Sequence, residues 1–92
     1  EWGTLITKPF QCVGGSLRIN AFARGGAVQV AVLDEQGIQY DGFSKIDCAV
    51  FDSDAVCHKM TWRDNVFSTL KGKMIRLKFY LRNAQLYSFQ QK

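Results

Sequence analysis

Most of the features that announce a chemistry are missing from this chain. No apolar run reaches the roughly 18 residues that a membrane-crossing helix requires, so no membrane insertion is expected. A basic leader, an apolar stretch and a small-residue cleavage site, the signs of a secretory signal, do not occur either. The chain starts Glu1-Trp2-Gly3 without a methionine, and we expect a mature product or, in preference, a piece of a longer protein.

Catalytic signatures are equally scarce. Ser16, Ser44, Ser53, Ser68 and Ser88 lie in no GxSxG elbow. Gly14-Gly15 and Gly25-Gly26 are turn pairs without the GK[ST] ending of a phosphate loop, and neither HExxH nor an EF-hand pattern is present. His58 is the single histidine, and an imidazole acting alone lacks the base or orienting partner that acid–base chemistry needs. The expectation is that the domain is not an enzyme.

Metal and disulfide signatures are weak. Cys12, Cys48 and Cys57 are too far apart for CxxC, and His58 alone cannot complete a zinc set. An odd count leaves at least one thiol unpaired. Cys48 and Cys57 could close a short loop, worth about 2–3 kcal/mol, or all three could be buried thiols acting as small hydrophobes. Asp47, Asp52 and Asp54 could offer oxygens to calcium. Their spacing fits no defined loop, however, and aspartates also build ordinary turns.

Charge is the last shortage. The net charge of +4 is spread thinly, without a basic block, as on an ordinary solvated surface. That weighs against a nucleic-acid partner.

What is present is alternation. Leu17, Ile19, Ala21 and Ala23 alternate with Arg18, Asn20, Phe22 and Arg24, and Val28, Val30 and Val32 follow the Gly25-Gly26 turn. Ile75, Leu77, Phe79 and Leu81 interleave with Met74, Arg76, Lys78, Tyr80 and Arg82. A period of two over such lengths predicts half-buried strands. Turn signals at Gly14-Gly15, Asp34 to Gly37, Asp41-Gly42 and Asn83-Ala84 separate them, as in a sandwich or barrel. About eight strands are expected, at 3–10, 16–23, 26–34, 38–40, 45–50, 56–62, 74–82 and 84–90, in a two-sheet, jelly-roll-like antiparallel β-sandwich. A helical turn is expected at 65–70, with Asn65 as its cap and Gly72 after it. In the strand at 56–62, Val56, His58, Met60 and Trp62 should share one face. With 92 residues in one domain, surface scaling gives roughly 5,400 Å² folded against about 15,000 Å² unfolded.

The aromatic residues offer the best ligand signal. Trp2, Tyr40, Phe43, Trp62, Tyr80 and Tyr87 could include a sugar-stacking platform, although Phe10, Phe79, Phe89 and Trp62 are better explained as core. Tyr80 shares the outer face of its strand with Arg76, Lys78 and Arg82, and Phe22, Arg18 and Asn20 could extend that face. An aromatic patch of this kind marks an interface, with a neighbouring domain, a glycan or another protein.

Taken in order, the segments GTLITKPF, GGSLRINAFARGGAVQVAVLDEQGIQYDGFS, DC, MTW and LKGKMIRLKFYLRNAQLYSFQ resemble a C-terminal β-sandwich module. That module is found in bacterial proteins of the glycoside hydrolase family 32 type, which carry a five-bladed, invertase- or sialidase-like propeller. The likeness spans nearly the whole chain. It rests on Asn20, Asp34, Gly37, Gly42, Phe43, Ser44, Asp47, Cys48, Trp62, Gly72, Leu77, Leu81, Leu86, Tyr87 and Phe89. Cys12, Cys57 and Tyr40 depart from it. The resemblance implies an extracellular or cell-surface accessory domain beside a catalytic propeller.

The expected function is therefore a non-catalytic accessory module of a carbohydrate-active protein. It would support the catalytic domain or bind glycan weakly through Tyr80, Trp62, Tyr40, Arg76, Arg82 and Asp47. The alternatives are a protein-interaction or assembly sandwich working through sheet packing or strand edges, and, as the lesser one, single-stranded nucleic-acid binding beside Tyr80 and Phe22.

Overall fold

A computed structural model describes residues 2–92 as two antiparallel sheets packed face to face. The strands are β1 (Gly3–Ile6), β2 (Phe10–Gln11), β3 (Leu17–Phe22), β4 (Ala27–Leu33), β5 (Asp54–Lys59), β6 (Met74–Arg82) and β7 (Gln85–Gln91). The all-β sandwich expected from the alternation is the fold observed. Its accessible surface of 5322 Å² agrees with the size scaling.

In the first sheet β6 is central. It pairs with β4 along one side and with β1 and then β2 along the other, because residues 7–9 interrupt the expected strand 3–10. Pro9 lacks the N–H that a continuous ladder would need there. In the second sheet β3 lies between β5 and β7. Leu17, Ile19, Ala21, Val28, Val30, Val32, Ile75, Leu77 and Phe79 fill the space between the sheets, each nearly or fully buried. These are the inward positions of the alternating strands. The match between Met74–Arg82 and the expected 74–82 follows from its strict period.

Three expectations are corrected. Residues 38–40 and 45–50 are not strands: they form turns, joined to their neighbours by isolated bridges such as Leu33 to Gln39 and Cys48 to Trp62. The strand expected at 56–62 runs from Asp54 to Lys59 and carries a bulge, with Cys57 at φ 68°. The bulge reverses the parity, so Val56 points out, 76% exposed, while Met60 and Trp62 are buried. The helical turn is a short 3-10 segment, Phe67–Leu70, and Asn65 does not cap it. Asn65 instead donates from Nδ2 to the Gly42 carbonyl. A side chain at Gly42 would collide with that amide, and its φ of +83° also favours glycine.

Candidate functional site

Two surfaces carry chemistry, one on the outer face of each sheet. On the first sheet, β6 presents Arg76, Lys78, Tyr80 and Arg82. Opposite Tyr80 on β4 stands Gln29, which is buried, and its amide donates to the carbonyls of Lys45 (2.9 Å) and Cys48 (3.0 Å). Gln29 thereby fastens the 41–48 turns onto the sheet, and Lys45 is laid across the aromatic rings. Its Nζ lies 3.8 Å from the Trp2 ring centroid and 5.2 Å from that of Tyr80. Lys78 flanks Tyr80 at 5.1 Å, and Arg82 flanks Trp2 at 5.0 Å. The result is an alternating ladder of cation and ring, Arg82–Trp2–Lys45–Tyr80–Lys78, within the range where the ring quadrupole attracts a cation.

Arg76 continues the basic strip while tying two segments together. Its Nε donates to the Glu35 carbonyl at 3.0 Å and its Nη1 to the Thr7 carbonyl at 3.2 Å. A shallow groove of about 400 Å³ opens beside it, lined in part by Ile6, Leu33, Lys78 and Tyr80. Among the described residues the ion pairs are Arg24–Asp54 and Arg63–Asp47, and neither involves a cation of the ladder.

Of the six residues expected at a glycan site, Tyr80, Arg76 and Arg82 share this face. Trp62 does not, because it is 1% exposed and lies in the core, stacked on Phe67 and tilted against Phe43. Its indole N–H donates to the Val30 carbonyl at 2.8 Å. Phe43 is buried in the same way. Tyr40 packs against the core, and its hydroxyl donates to the Met74 carbonyl at 3.2 Å. Burial and the nearby Asp34 and Glu35 raise its pKa, which keeps that proton in place. Asp47 is partly exposed but is engaged within its own turn: it accepts from the Ser44 hydroxyl at 2.7 Å and pairs with Arg63, closing the turn that delivers Lys45. The Ser44 hydrogen bond, with Arg63 nearby, holds its carboxyl below the usual range.

The remaining sequence candidates have structural partners. Asp54 Oδ1 accepts from the Ala23 and Arg24 amides, so Asp47 and Asp54 serve turns. Among the described residues no group of three His, Cys, Asp or Glu converges. All three cysteines are free, which removes the Cys48–Cys57 loop closure. The Cys48 sulfur accepts from the Val30 N–H at 3.4 Å, and burial pushes its pKa up to about 11. His58 leans on the Phe51 ring, centroids 4.3 Å apart, and burial lowers its pKa.

The second surface escaped the sequence reading. Phe22, Arg18 and Asn20 do not extend the Tyr80 face, because β3 belongs to the other sheet. Phe22 instead lies in a cross-strand row, with Asp54 of β5 on one side and Gln85 of β7 on the other. Arg24 and Asn83, from the turns that follow β3 and β6, close the end of a cleft of about 530 Å³. The two turns meet at Gly26, where any Cβ would strike the carbonyls of Arg82 and Asn83. Only the juxtaposition of Phe22 with Arg24 hinted at this cleft in the sequence. Compared with protein-family models, curated proteins and solved structures, the chain matches none of them.

Proposed function

We propose that this chain is a non-catalytic accessory module that docks, through the outer face of β6, against an acidic surface of a neighbouring catalytic domain. The observation that carries this reading is the Arg82–Trp2–Lys45–Tyr80–Lys78 ladder. Its rings are already covered by cations, so a sugar ring would have to displace Lys45 in order to stack. A carboxylate-bearing protein surface would instead reinforce the cations while burying the ring edges, the aromatic-and-arginine chemistry typical of interface centres. On the sequence resemblance to a sandwich module beside a family 32-type propeller, the proposed neighbour is such a propeller.

The test is to add the neighbouring catalytic domain to the isotopically labelled chain and follow the amide spectrum. Lys45, Lys78 and Tyr80 should shift, and Lys45→Glu with Lys78→Glu should abolish the response. Unchanged spectra would remove the reading. A steep salt-dependent response to single-stranded oligonucleotide instead would favour nucleic acid.

One observation favours the assembly alternative. β1 pairs with β6 along one side only, and it exposes Leu5 and Ile6 by 51% and 52%. Light scattering of the isolated chain separates edge-to-edge association from a monomer.

A further inference from the structure

We infer that the Phe22 cleft on the second sheet is a binding site for a neutral saccharide. The site lies on the opposite sheet from the β6 face, so it stands or falls independently of the docking reading.

The ring chemistry comes first. Phe22 and Tyr87 are 49% and 57% exposed, and they meet edge-on with centroids 5.2 Å apart at 76°. Exposed apolar side chains occur elsewhere on this domain, but here two half-open rings touch each other, and a contiguous aromatic patch is what marks a binding surface. Phe22 sits in the central strand of its sheet, where no backbone edge is free for strand addition. The ligand must therefore be held by side chains.

The polar groups around the rings are of the kind sugars require. Asp54 and Gln85 are the direct cross-strand neighbours of Phe22, so a carboxylate and a carboxamide flank the ring at adjacent-strand spacing. Each polar group is pinned at one atom and open at another. Gln85 Oε1 accepts from the Tyr87 hydroxyl at 2.6 Å, which leaves Nε2 as a donor. Asn83 Nδ2 donates to the Gly25 carbonyl at 3.3 Å, which leaves Oδ1 as an acceptor. Asp54 Oδ1 receives the Ala23 and Arg24 amides, while Oδ2 meets Arg24 Nε at 3.5 Å. The outer guanidinium nitrogens of Arg24 remain as donors. Donors and acceptors thus surround the exposed Phe22 ring, and the contacts that hold each of them at one atom lower the ordering cost of binding.

Charge selects among ligands. The Arg24–Asp54 pair leaves the cleft without net charge, in contrast to the basic β6 face. An anionic sugar or a nucleic acid would gain nothing here that β6 does not offer more strongly. A pyranose, with C–H groups on one face and hydroxyls around its rim, uses both parts of the cleft.

The experiment is an amide-resolved titration of the 92-residue chain with cellohexaose, mannohexaose and xylohexaose at up to tens of millimolar. At least one should shift Phe22, Arg24, Asn83 and Gln85 while leaving Tyr80 and Lys78 still, and the affinity should not change with salt, since no net charge is paired. Phe22→Ala should weaken binding by about tenfold or more, as loss of a central anchor does. Tyr87→Phe, which frees the Gln85 amide, should weaken it about threefold. Both side chains are exposed, and if Phe22→Ala fails to fold, Tyr87→Phe and Gln85→Ala carry the test. No response to any of the three sugars would overturn the inference. So would shifts centred on Tyr80, unchanged affinity in the variants, or stronger shifts of the same amides by a proline-rich peptide.

Discussion

The two flanks of this sandwich meet the same backbone demand in opposite ways. On the flank beside β4, every second-edge hydrogen bond of the strand is answered from within the chain. Val28 exchanges bonds with Phe51, and Val32 receives Tyr40 and donates to Phe43. Between them, Val30 is served by two side chains: its N–H goes to the Cys48 sulfur and its carbonyl takes the Trp62 indole. On the flank beside β1, nothing comparable is present among the described residues. β1 has a neighbour on one side, and Leu5, which faces inward opposite Phe79, is half exposed. An irregular loop with two well-placed side chains can thus replace a strand and remove an aggregation-prone edge. The opposite flank keeps its edge open for another chain to use.

The largest test of this contrast is Trp62→Ala. It removes both the ring that fills the closed flank and the donor to Val30, and should cost about 3–5 kcal/mol. Against a total stability of about 5–15 kcal/mol, thermal melts should show a chain close to unfolding. Trp62→Phe separates the two contributions, because it keeps most of the packing and orphans the Val30 carbonyl. Urea denaturation should report a loss of about 1–3 kcal/mol.

A pH series probes the other half of the Val30 clamp. The Cys48 thiol holds its proton in the folded chain up to about pH 11, against 9.0 for an unperturbed cysteine. Between those values the unfolded chain binds fewer protons, so stability is full below pH 9.0 and falls toward pH 11. The loss attributable to this group is on the order of 2 kcal/mol. Urea midpoints compared with Cys48→Ala, which should lack this component of the slope, will measure it. The smallest effect is expected on the open flank. Leu5→Lys should change stability by no more than about 0.5 kcal/mol, and should suppress self-association if scattering finds any. A large destabilisation there would show that β1 is not a free edge.

The strands were easiest to read where the alternation is uninterrupted, as in β3 and β6; β4, expected half-buried, is buried along its whole length because the 41–48 turns cover its outer side through Gln29. The segments 38–40 and 45–50 read as strands from the sequence because their residues, Tyr40 and Cys48 among them, serve the edge of β4 without forming a ladder of their own. Trp62 suits a core better than a platform on its sequence, yet it also qualifies for the glycan site, since a ring's value to either is decided only by its burial. The bulge at Cys57 is a positive-φ residue that no composition rule announces. The β6 face was largely legible because Arg76, Lys78, Tyr80 and Arg82 follow one another at every second position. Lys45 and Trp2 were not part of it: Lys45 reaches that face through the Gln29 anchor, and Trp2 arrives there because β1 pairs with β6 from Gly3 onward.

The amino-acid order alone determined that this chain builds two facing sheets, and it named most of the side chains between them. A two-residue period separates inside from outside on any strand, whichever strand lies next to it. Which outward residues share a surface was decided by the tertiary structure alone. Phe22 and Tyr80 have the same outward signature and end up on opposite sheets, while Asp54, Phe22 and Gln85, far apart in the chain, form one row. Strand partnership and register are properties of pairs of distant segments, fixed only when the whole core closes.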